Sequence, residues 1–190
     1  MNTIILASAS PRRKEILGKH GIPFQIQVSD VDESHEKMPP AKLVEELSKR
    51  KAKAVFEKFP DKVVLGADTV VAYEDEILEK PKDDEDAYRM ISLLQGNVHQ
   101  VYTGVTICSS KKETTFSVKT DVYVKTMSSE EIKSYIATGE GRDKAGSYAI
   151  QGIFSKYIEK YDGDYENVVG LPGKHVEETL KDFIFCKQRS

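Results

Sequence analysis

Short apolar runs alternate with amphipathic segments through the first half of this chain, and this alternation limits the fold more than any single motif. Ile4–Leu6 is a continuous apolar run typical of a buried strand, and Ser10 and Pro11 follow it as an N-cap and a first helical residue. A second apolar run at 63–67 comes after a long helix predicted over 40–58. This order predicts a mixed α/β fold.

Hairpin material enters in the second half. The stretches 98–108 and 114–125 have strand composition and are joined by a short polar turn, which predicts a β-hairpin. No internal repeat or linker divides the 190 residues, so we expect a single domain whose two lobes share a cleft. Further elements are predicted in this order: a helix opened by a capping box of Ser128 and Glu131, a strand near 154–159 and a helix over 175–185.

Charge and composition exclude several classes of protein. Lys and Arg number 28 against 31 Asp and Glu, a net charge of −3, whereas proteins that hold nucleic acid by its phosphates carry a basic excess. Thr3–Ala9 is too short for a signal peptide or a membrane span, and Cys108 and Cys186 lack metal or redox spacing. We therefore expect a cytoplasmic protein that binds neither nucleic acid nor membrane and keeps two buried, reduced thiols.

Cations stand at positions that folding alone does not favour. Arg12 and Arg13 fall in the first turn of a predicted helix, where the helix dipole opposes a cation by roughly 0.3–1 kcal/mol. With the hydroxyls of Ser8 and Ser10 they would form a cradle for a polyphosphate; the alternative is two solvated arginines on a surface turn. Lys51 interrupts the apolar stripe of the long helix, so it either extends to solvent or faces an anion in a cleft.

Carboxylates follow two predicted strands. Asp68 ends the apolar run at 63–67, and Asp32 and Glu33 follow a strand near 24–28. Folds of the α/β class place catalytic and metal-binding groups at such strand ends, although an acid there can also cap a turn. One or two carboxylates together with substrate phosphates suit Mg²⁺. We therefore expect a divalent cation site for Mg²⁺, with Mn²⁺ as the alternative.

Two later segments add candidates for ligand binding. Pro81 fixes the chain beside Lys80, which by itself is a weak signal. The segment 144–152 is rich in small residues that permit close backbone approach, and the amide of Gln151 both donates and accepts hydrogen bonds. Gln151 is thus a candidate reader of a base, the alternative being a packed turn with an incidental glutamine.

Taken in order, these segments resemble the Maf (septum formation protein) family. The likeness spans essentially the whole chain, and the joint order and spacing of its short motifs are highly specific. The matching pieces are LASASPRR at 6–13, VDE at 31–33, KA at 51–52, GADTV at 66–70, KP at 80–81, DKAGSY at 143–148, IQG at 150–152 and VGLP at 169–172.

The resemblance implies one Maf-like domain over 1–190, similar to inosine triphosphate pyrophosphatases, with two α/β lobes around a deep cleft and a homodimeric assembly. It implies a metal-dependent nucleoside triphosphate pyrophosphatase that cuts between the α- and β-phosphates. Asp68 matches the family's proton acceptor. The other positions carried over are Ser8, Arg13, Lys51 and Lys80 on the phosphate side, and Asp32, Glu33 and Asp68 around the metal.

Three positions separate branches of the family. The branch that acts on dTTP and UTP has Arg, Thr and Gln where this chain has Arg12, Thr69 and Gln151, whereas the 7-methyl-GTP branch has Trp, Gln and Glu. The resemblance thus implies hydrolysis of dTTP and UTP, or of modified pyrimidine analogues, to the monophosphate and pyrophosphate, a house-cleaning role in nucleotide pools. The alternatives are a 7-methyl-GTP pyrophosphatase, a phosphatase that releases single phosphates, and a nucleotide-binding regulator of septum formation.

Overall fold

One mixed sheet of seven strands runs through residues 2–184, the part of the chain that the computed structural model describes. The strands are β1 (Ile4–Leu6), β2 (Phe24–Ile26), β3 (Val64–Tyr73), β4 (Glu76–Leu78), β5 (Val98–Cys108), β6 (Glu113–Val124) and β7 (Ile158–Asp162). Their order is β2-β1-β3-β5-β6-β7, with β4 paired to β3 off this path. Pairing is parallel from β2 through β1 to β3 and antiparallel elsewhere, which confirms the predicted α/β class with a mixed sheet.

Six α-helices pack around this sheet in the described part of the chain. They are α1 (Pro11–Lys19), α2 (Pro40–Phe56), α3 (Asp84–Leu94), α4 (Ser129–Ala137), α5 (Tyr165–Val169) and α6 (Gly173–Ile184). The predicted caps are confirmed: the Ser10 side chain accepts the Arg13 N–H, and Ser128 and Glu131 form the reciprocal capping box of α4. None of these helices is long and apolar enough to cross a membrane.

Helix α2 lies directly on the sheet because two glycines face it. A Cβ placed on Gly66 would come 2.5 Å from the Ser48 carbonyl oxygen, and one placed on Gly104 would overlap the Val44 carbonyl. The Ser48 hydroxyl also hydrogen-bonds the Thr106 hydroxyl at 2.9 Å. Since the backbones meet this closely, the position of α2 over β3 is tightly fixed.

The edge of β3 that faces β1 is only partly covered. Strand β1 pairs with Val64 and Leu65, and β4 pairs with 71–73. Between them, residues 66–70 have no strand neighbour on that edge within the described chain, whereas β5 covers the opposite edge from 64 to 72. The sheet therefore has a gap beside 66–70, and Asp68 lies in the middle of a strand rather than at its end.

A two-residue turn links β3 to β4. Tyr73 pairs with Glu76, and the intervening Glu74 and Asp75 both have positive φ, at 45° and 68°. Two consecutive left-handed residues define the turn that matches the twist of a hairpin. The hairpin leads directly into Glu79 and Lys80.

The C-terminal third differs from its predicted form. The strand expected near 154–159 is wrong at its start, because Ile153–Tyr157 forms a 3₁₀ turn and strand β7 begins only at Ile158. Phe154 and Tyr157 are both buried three residues apart, the spacing of one 3₁₀ turn, whereas a strand with one buried face would bury alternate residues. Cys108 is buried, which raises its thiol pKa to about 11, whereas Cys186 lies outside the described residues.

Candidate active site

A cavity of about 990 Å³ opens at the gap beside β3. Helix α1, the acidic loop before α2, α2 itself, β3 and the segment 144–151 all contribute to its lining. The ionisable and amide side chains around it are Arg12, Arg13, Glu33, His35, Lys51, Asp68, Glu79, Lys80, Asp143, Lys144, Tyr148 and Gln151. The structure thus brings Arg13, Lys51, Lys80 and Asp68 to one hollow, although they come from four separate segments.

Lys51 and Asp68 form the centre of the cavity floor. The Lys51 ammonium donates to Asp68 Oδ1 at 2.6 Å, and it also contacts Glu33 Oε1 at 2.7 Å. Lys51 and Asp68 are 12% and 13% exposed, so this pair is shielded from water and its attraction is stronger than that of a surface pair. Of the two orientations open from sequence, Lys51 takes the one that faces the cleft.

Arg13 lies in the first turn of α1, and its guanidinium donates hydrogen bonds to three oxygen atoms from other segments. Its Nε donates to the Gly170 carbonyl at 2.9 Å, and its two terminal nitrogens donate to the hydroxyls of Ser8 and Thr69, each at 3.1 Å. Burial lowers the Arg13 pKa, while the charge of Asp68 opposes that shift. Arg13 remains a cation, because a guanidinium does not lose its proton in proteins. Its orientation is therefore fixed before any ligand binds.

The Ser8 hydroxyl faces the backbone and Arg13 rather than open space. It accepts from the Ser10 N–H at 3.2 Å as well as from Arg13, and Ser8 is 8% exposed. Its predicted place on the phosphate side stays a prediction. In the structure Ser8 orients Arg13.

The three residues predicted to select the substrate, Arg12, Thr69 and Gln151, lie in different environments. Arg12 is half-buried on the cavity lining, with no polar side-chain contact to the described residues. Gln151 lies exposed on the cavity wall. The Thr69 hydroxyl contacts the Thr103 hydroxyl at 2.8 Å in addition to Arg13, so a residue predicted for the base side touches one predicted for the phosphate side.

The acidic loop presents Glu33 to the cavity but turns Asp32 elsewhere. The Asp32 carboxylate accepts from the N–H and the hydroxyl of Ser34, at 2.8 and 2.7 Å, and these bonds lower its pKa. Arg50 of α2 holds the loop by donating to the Ser34 carbonyl at 2.7 Å. Within residues 2–184, no three acidic, histidine or cysteine side chains form a metal-binding group. The metal role predicted for Asp32, Glu33 and Asp68 stays a prediction.

Several residues at the cavity were not among the predicted site residues. Glu79 and Lys144 line it, and the Gly170 carbonyl orients Arg13. Every residue has a backbone carbonyl, so the residue type at 170 does not indicate that its carbonyl binds Arg13. Lys144 did have a signal in the sequence, because it opens the segment 144–152 of small residues that also contains Gln151.

Comparisons with known proteins agree with the motifs. The family described as Maf-like protein matches residues 3–183. A dTTP/UTP pyrophosphatase of Geobacillus sp. (strain WCH70) is 50% identical, with 90% of this chain and 93% of that protein covered. One from Bacillus cereus (strain ATCC 10987 / NRS 248) is 48% identical, with 96% and 91% covered.

Among solved structures, the Ham1 protein of Staphylococcus aureus superposes with a TM-score of 0.46 at 16% identity, over 65% of this chain and 72% of that one. Likeness at this level says nothing further about fold or activity. The family match spans nearly the whole described chain, and the two pyrophosphatases are about half identical to it over almost their full length. On these two findings together, this chain belongs to the Maf-like protein family.

Proposed function

We propose that this chain is a nucleoside triphosphate pyrophosphatase that hydrolyses dTTP and UTP to the monophosphate and pyrophosphate. One observation carries the proposal: a carboxylate, Asp68, and three cations, Arg13, Lys51 and Lys80, share one cavity beside the base-side residues Arg12, Thr69 and Gln151. The relatives at 50% and 48% identity bear the name dTTP/UTP pyrophosphatase. The volume of about 990 Å³ lies at the upper end of the range usual for small-molecule sites.

The chemistry assigned to the chain's own residues is proton transfer and charge neutralisation. Asp68 would take a proton from the attacking water. Its Oδ1 contacts Lys51, so Oδ2 is the oxygen that would accept the proton. Arg13, pre-oriented by its three oxygen partners, would bind charge on the departing pyrophosphate together with Lys51 and Lys80. A fixed guanidinium needs little reorganisation as that charge develops.

A divalent cation fits the donor set. Glu33 and Asp68 are hard oxygen ligands on the cavity, and Mg²⁺ is usually held by one or two carboxylates plus phosphate oxygens. We propose that these two residues hold Mg²⁺ or Mn²⁺ together with the triphosphate. Such an ion neutralises phosphate charge and lowers the pKa of a bound water. Asp32 would join them only if its bonds to Ser34 were exchanged.

Base recognition is proposed for Arg12, Thr69 and Gln151. The Gln151 amide both donates and accepts, which matches the carbonyl and N–H edge shared by uracil and thymine. Arg12 has an uncommitted guanidinium within the described residues and would contact a carbonyl or a phosphate. The Thr69 hydroxyl, held by Thr103, would set the depth at which the nucleotide sits.

A substrate panel tests this proposal. Purified protein is mixed with Mg²⁺ and dTTP, UTP, CTP, dGTP or 7-methyl-GTP, and pyrophosphate and orthophosphate are measured separately. We expect pyrophosphate from dTTP and UTP. Orthophosphate as the first product would indicate a phosphatase, preference for 7-methyl-GTP would indicate the other branch, and tight binding without turnover would favour a nucleotide-binding regulator.

Two further expectations accompany the proposal. We propose a homodimer, which light scattering of the purified protein tests directly. We also propose that the protein acts in the cytoplasm on free nucleotides, which fractionation of cells that express a tagged chain tests.

A further inference from the structure

The side chain of Glu140 binds the backbone at the end of the cavity wall. Its Oε1 accepts the Ile153 N–H at 2.7 Å, and its Oε2 accepts the Phe154 N–H at 3.3 Å. The hydroxyl of the buried Tyr135 donates to the same Oε2 at 3.0 Å. One carboxylate therefore satisfies the first two amides of the 3₁₀ turn and a buried phenol.

The backbone of Glu140 binds the beginning of the same wall. Its carbonyl accepts from the Lys144 ammonium at 3.0 Å, and Lys144 lines the cavity. Its own N–H donates to the Thr138 hydroxyl at 3.3 Å, which ties it to the end of α4. We term residues 144–151 the wall segment. Glu140 thus contacts its first residue, Lys144, and the two amides that follow Gly152.

Glycine at 152 lets the carboxylate come this close. A Cβ placed on Gly152 would overlap Glu140 Oε1, so any other residue would push the carboxylate away. Gln151 directly precedes Gly152, and its side chain lies exposed on the cavity lining. The anchored amides therefore begin two residues after the proposed base reader.

We infer that Glu140 is a positioning residue for base recognition, which acts by holding the wall segment so that the Gln151 amide meets the base. This inference rests on the proposed function. In Glu140→Gln the side chain would keep one acceptor oxygen but would lose the charge and the second acceptor, so at least one of the three donors would be left without a partner. The wall segment would then sample more than one position, and discrimination between similar bases would fall.

Selectivity between UTP and CTP is the most direct measure of base recognition. Uracil and cytosine differ in the hydrogen-bonding groups on the edge that the Gln151 amide would contact. For Glu140→Gln we expect the ratio of kcat/KM for UTP to that for CTP to fall roughly tenfold, mainly through a higher KM for UTP. Tyr135→Phe should lower the ratio by less, roughly threefold, since both amide bonds remain. Hydrogen exchange at Ile153 and Phe154 should become faster in Glu140→Gln.

A matched control and a double-mutant cycle separate positioning from general stability. Glu131→Gln, on helix α4 that precedes Glu140, removes a charge from the capping box and should lower stability while leaving the UTP to CTP ratio unchanged. In a Gln151→Ala background, Glu140→Gln should cause no further loss of selectivity, because Gln151 is the group through which it acts.

An unchanged ratio in folded Glu140→Gln, or equal losses with and without Gln151, would overturn the inference. If Glu140→Gln does not fold, Tyr135→Phe carries the same comparison, and an unchanged ratio there is equally decisive. If the unsubstituted protein releases no pyrophosphate from UTP, the proposed function fails separately. The ratio of UTP to CTP dissociation constants, measured by calorimetry, then replaces the kinetic ratio.

Discussion

The Lys51 ammonium lies 2.6 Å from Asp68 Oδ1 and 2.7 Å from Glu33 Oε1, so one cation bridges two carboxylates that come from different segments. These are the same two carboxylates that we propose for the divalent ion. An ion bound there would compete with the ammonium for them and would leave Lys51 available to phosphate.

Replacing Lys51 should separate metal affinity from turnover. In Lys51→Met we expect pyrophosphate release to fall by roughly 10²–10³, the range for loss of one charge-stabilising donor. Binding of Mn²⁺ to the protein alone should tighten by at least roughly tenfold, because a nearby positive charge is gone. Calorimetric titration without nucleotide measures it. Lys53→Met is the control, since Lys53 contacts Glu113 on the surface; weaker Mn²⁺ binding in Lys51→Met would contradict the competition.

Removing the charge of Asp68 should abolish turnover while the fold is kept. We expect kcat of Asp68→Asn with UTP to fall by at least roughly 10², the lower limit usual for a proton acceptor. Lys51 keeps its contact with Glu33, so the cavity floor retains an ion pair. Asp61→Asn, at an exposed position after α2, should behave as the parent protein. Near-normal turnover by folded Asp68→Asn would remove Asp68 from this role.

Adding a methyl group at two glycines should have opposite effects on stability. In Gly104→Ala the new Cβ overlaps the Val44 carbonyl, so we expect a loss of at least about 1–3 kcal/mol and a displaced α2. Gly18 lies in α1 with open space around it, so Gly18→Ala should gain up to about 1 kcal/mol. Urea unfolding measures both. Equal stability of the two variants would show that α2 can move to accommodate the added methyl group at little cost in free energy.

Two histidines should shift stability in opposite directions with pH. His99 is fully buried, and burial lowers its pKa to about 3, so the folded protein resists its protonation. The unfolded chain binds that proton near pH 6.5, and the free energy of unfolding should fall by about 1 kcal/mol per pH unit below that value. Urea unfolding from pH 6.5 to 5 should show this slope, and His99→Asn should flatten it.

His20 should affect the free energy of unfolding at pH values above about 6.5. Hydrogen bonds to Glu177 at 3.0 Å and Glu166 at 2.7 Å raise the His20 pKa. Its stabilising contribution is therefore complete below about pH 6.5 and is lost as pH rises through the raised folded value. In His20→Gln, stability should stay flat over that interval. A parallel decline in parent and variant would show that His20 is not its cause.

Local rules predicted much of the fold because the relevant contacts are close in sequence. Ser10 caps α1 and the capping box opens α4, as their spacing indicates. The hairpin of β5 and β6 also follows its pattern. The 3₁₀ turn at Ile153–Tyr157 was missed because the carboxylate that binds its amides belongs to Glu140, outside any local window.

The candidate site was predictable as a set of residues but not as a geometry. Arg13 and Gly170 are 157 positions apart, and nothing in either local segment indicates that the carbonyl of one orients the guanidinium of the other. Thr69 was predicted for the base side, and its contact with Arg13 could not be read from spacing. Both contacts depend on tertiary packing, which brings Arg13 of α1 beside the end of α5 and beside Thr69 of β3.

The two-residue turn at Glu74 and Asp75 limits how this family member can vary. Tyr73 pairs with Glu76 and Val71 with Leu78, and Lys80 follows the last paired residue by two positions. One extra residue in the turn would rotate every following side chain to the opposite face of the strand. Residues that tolerate positive φ, such as Gly, Asn or Asp, should be accepted there, but an insertion would aim Lys80 away from the cavity. Natural variation at this turn should therefore alter residue type and preserve length.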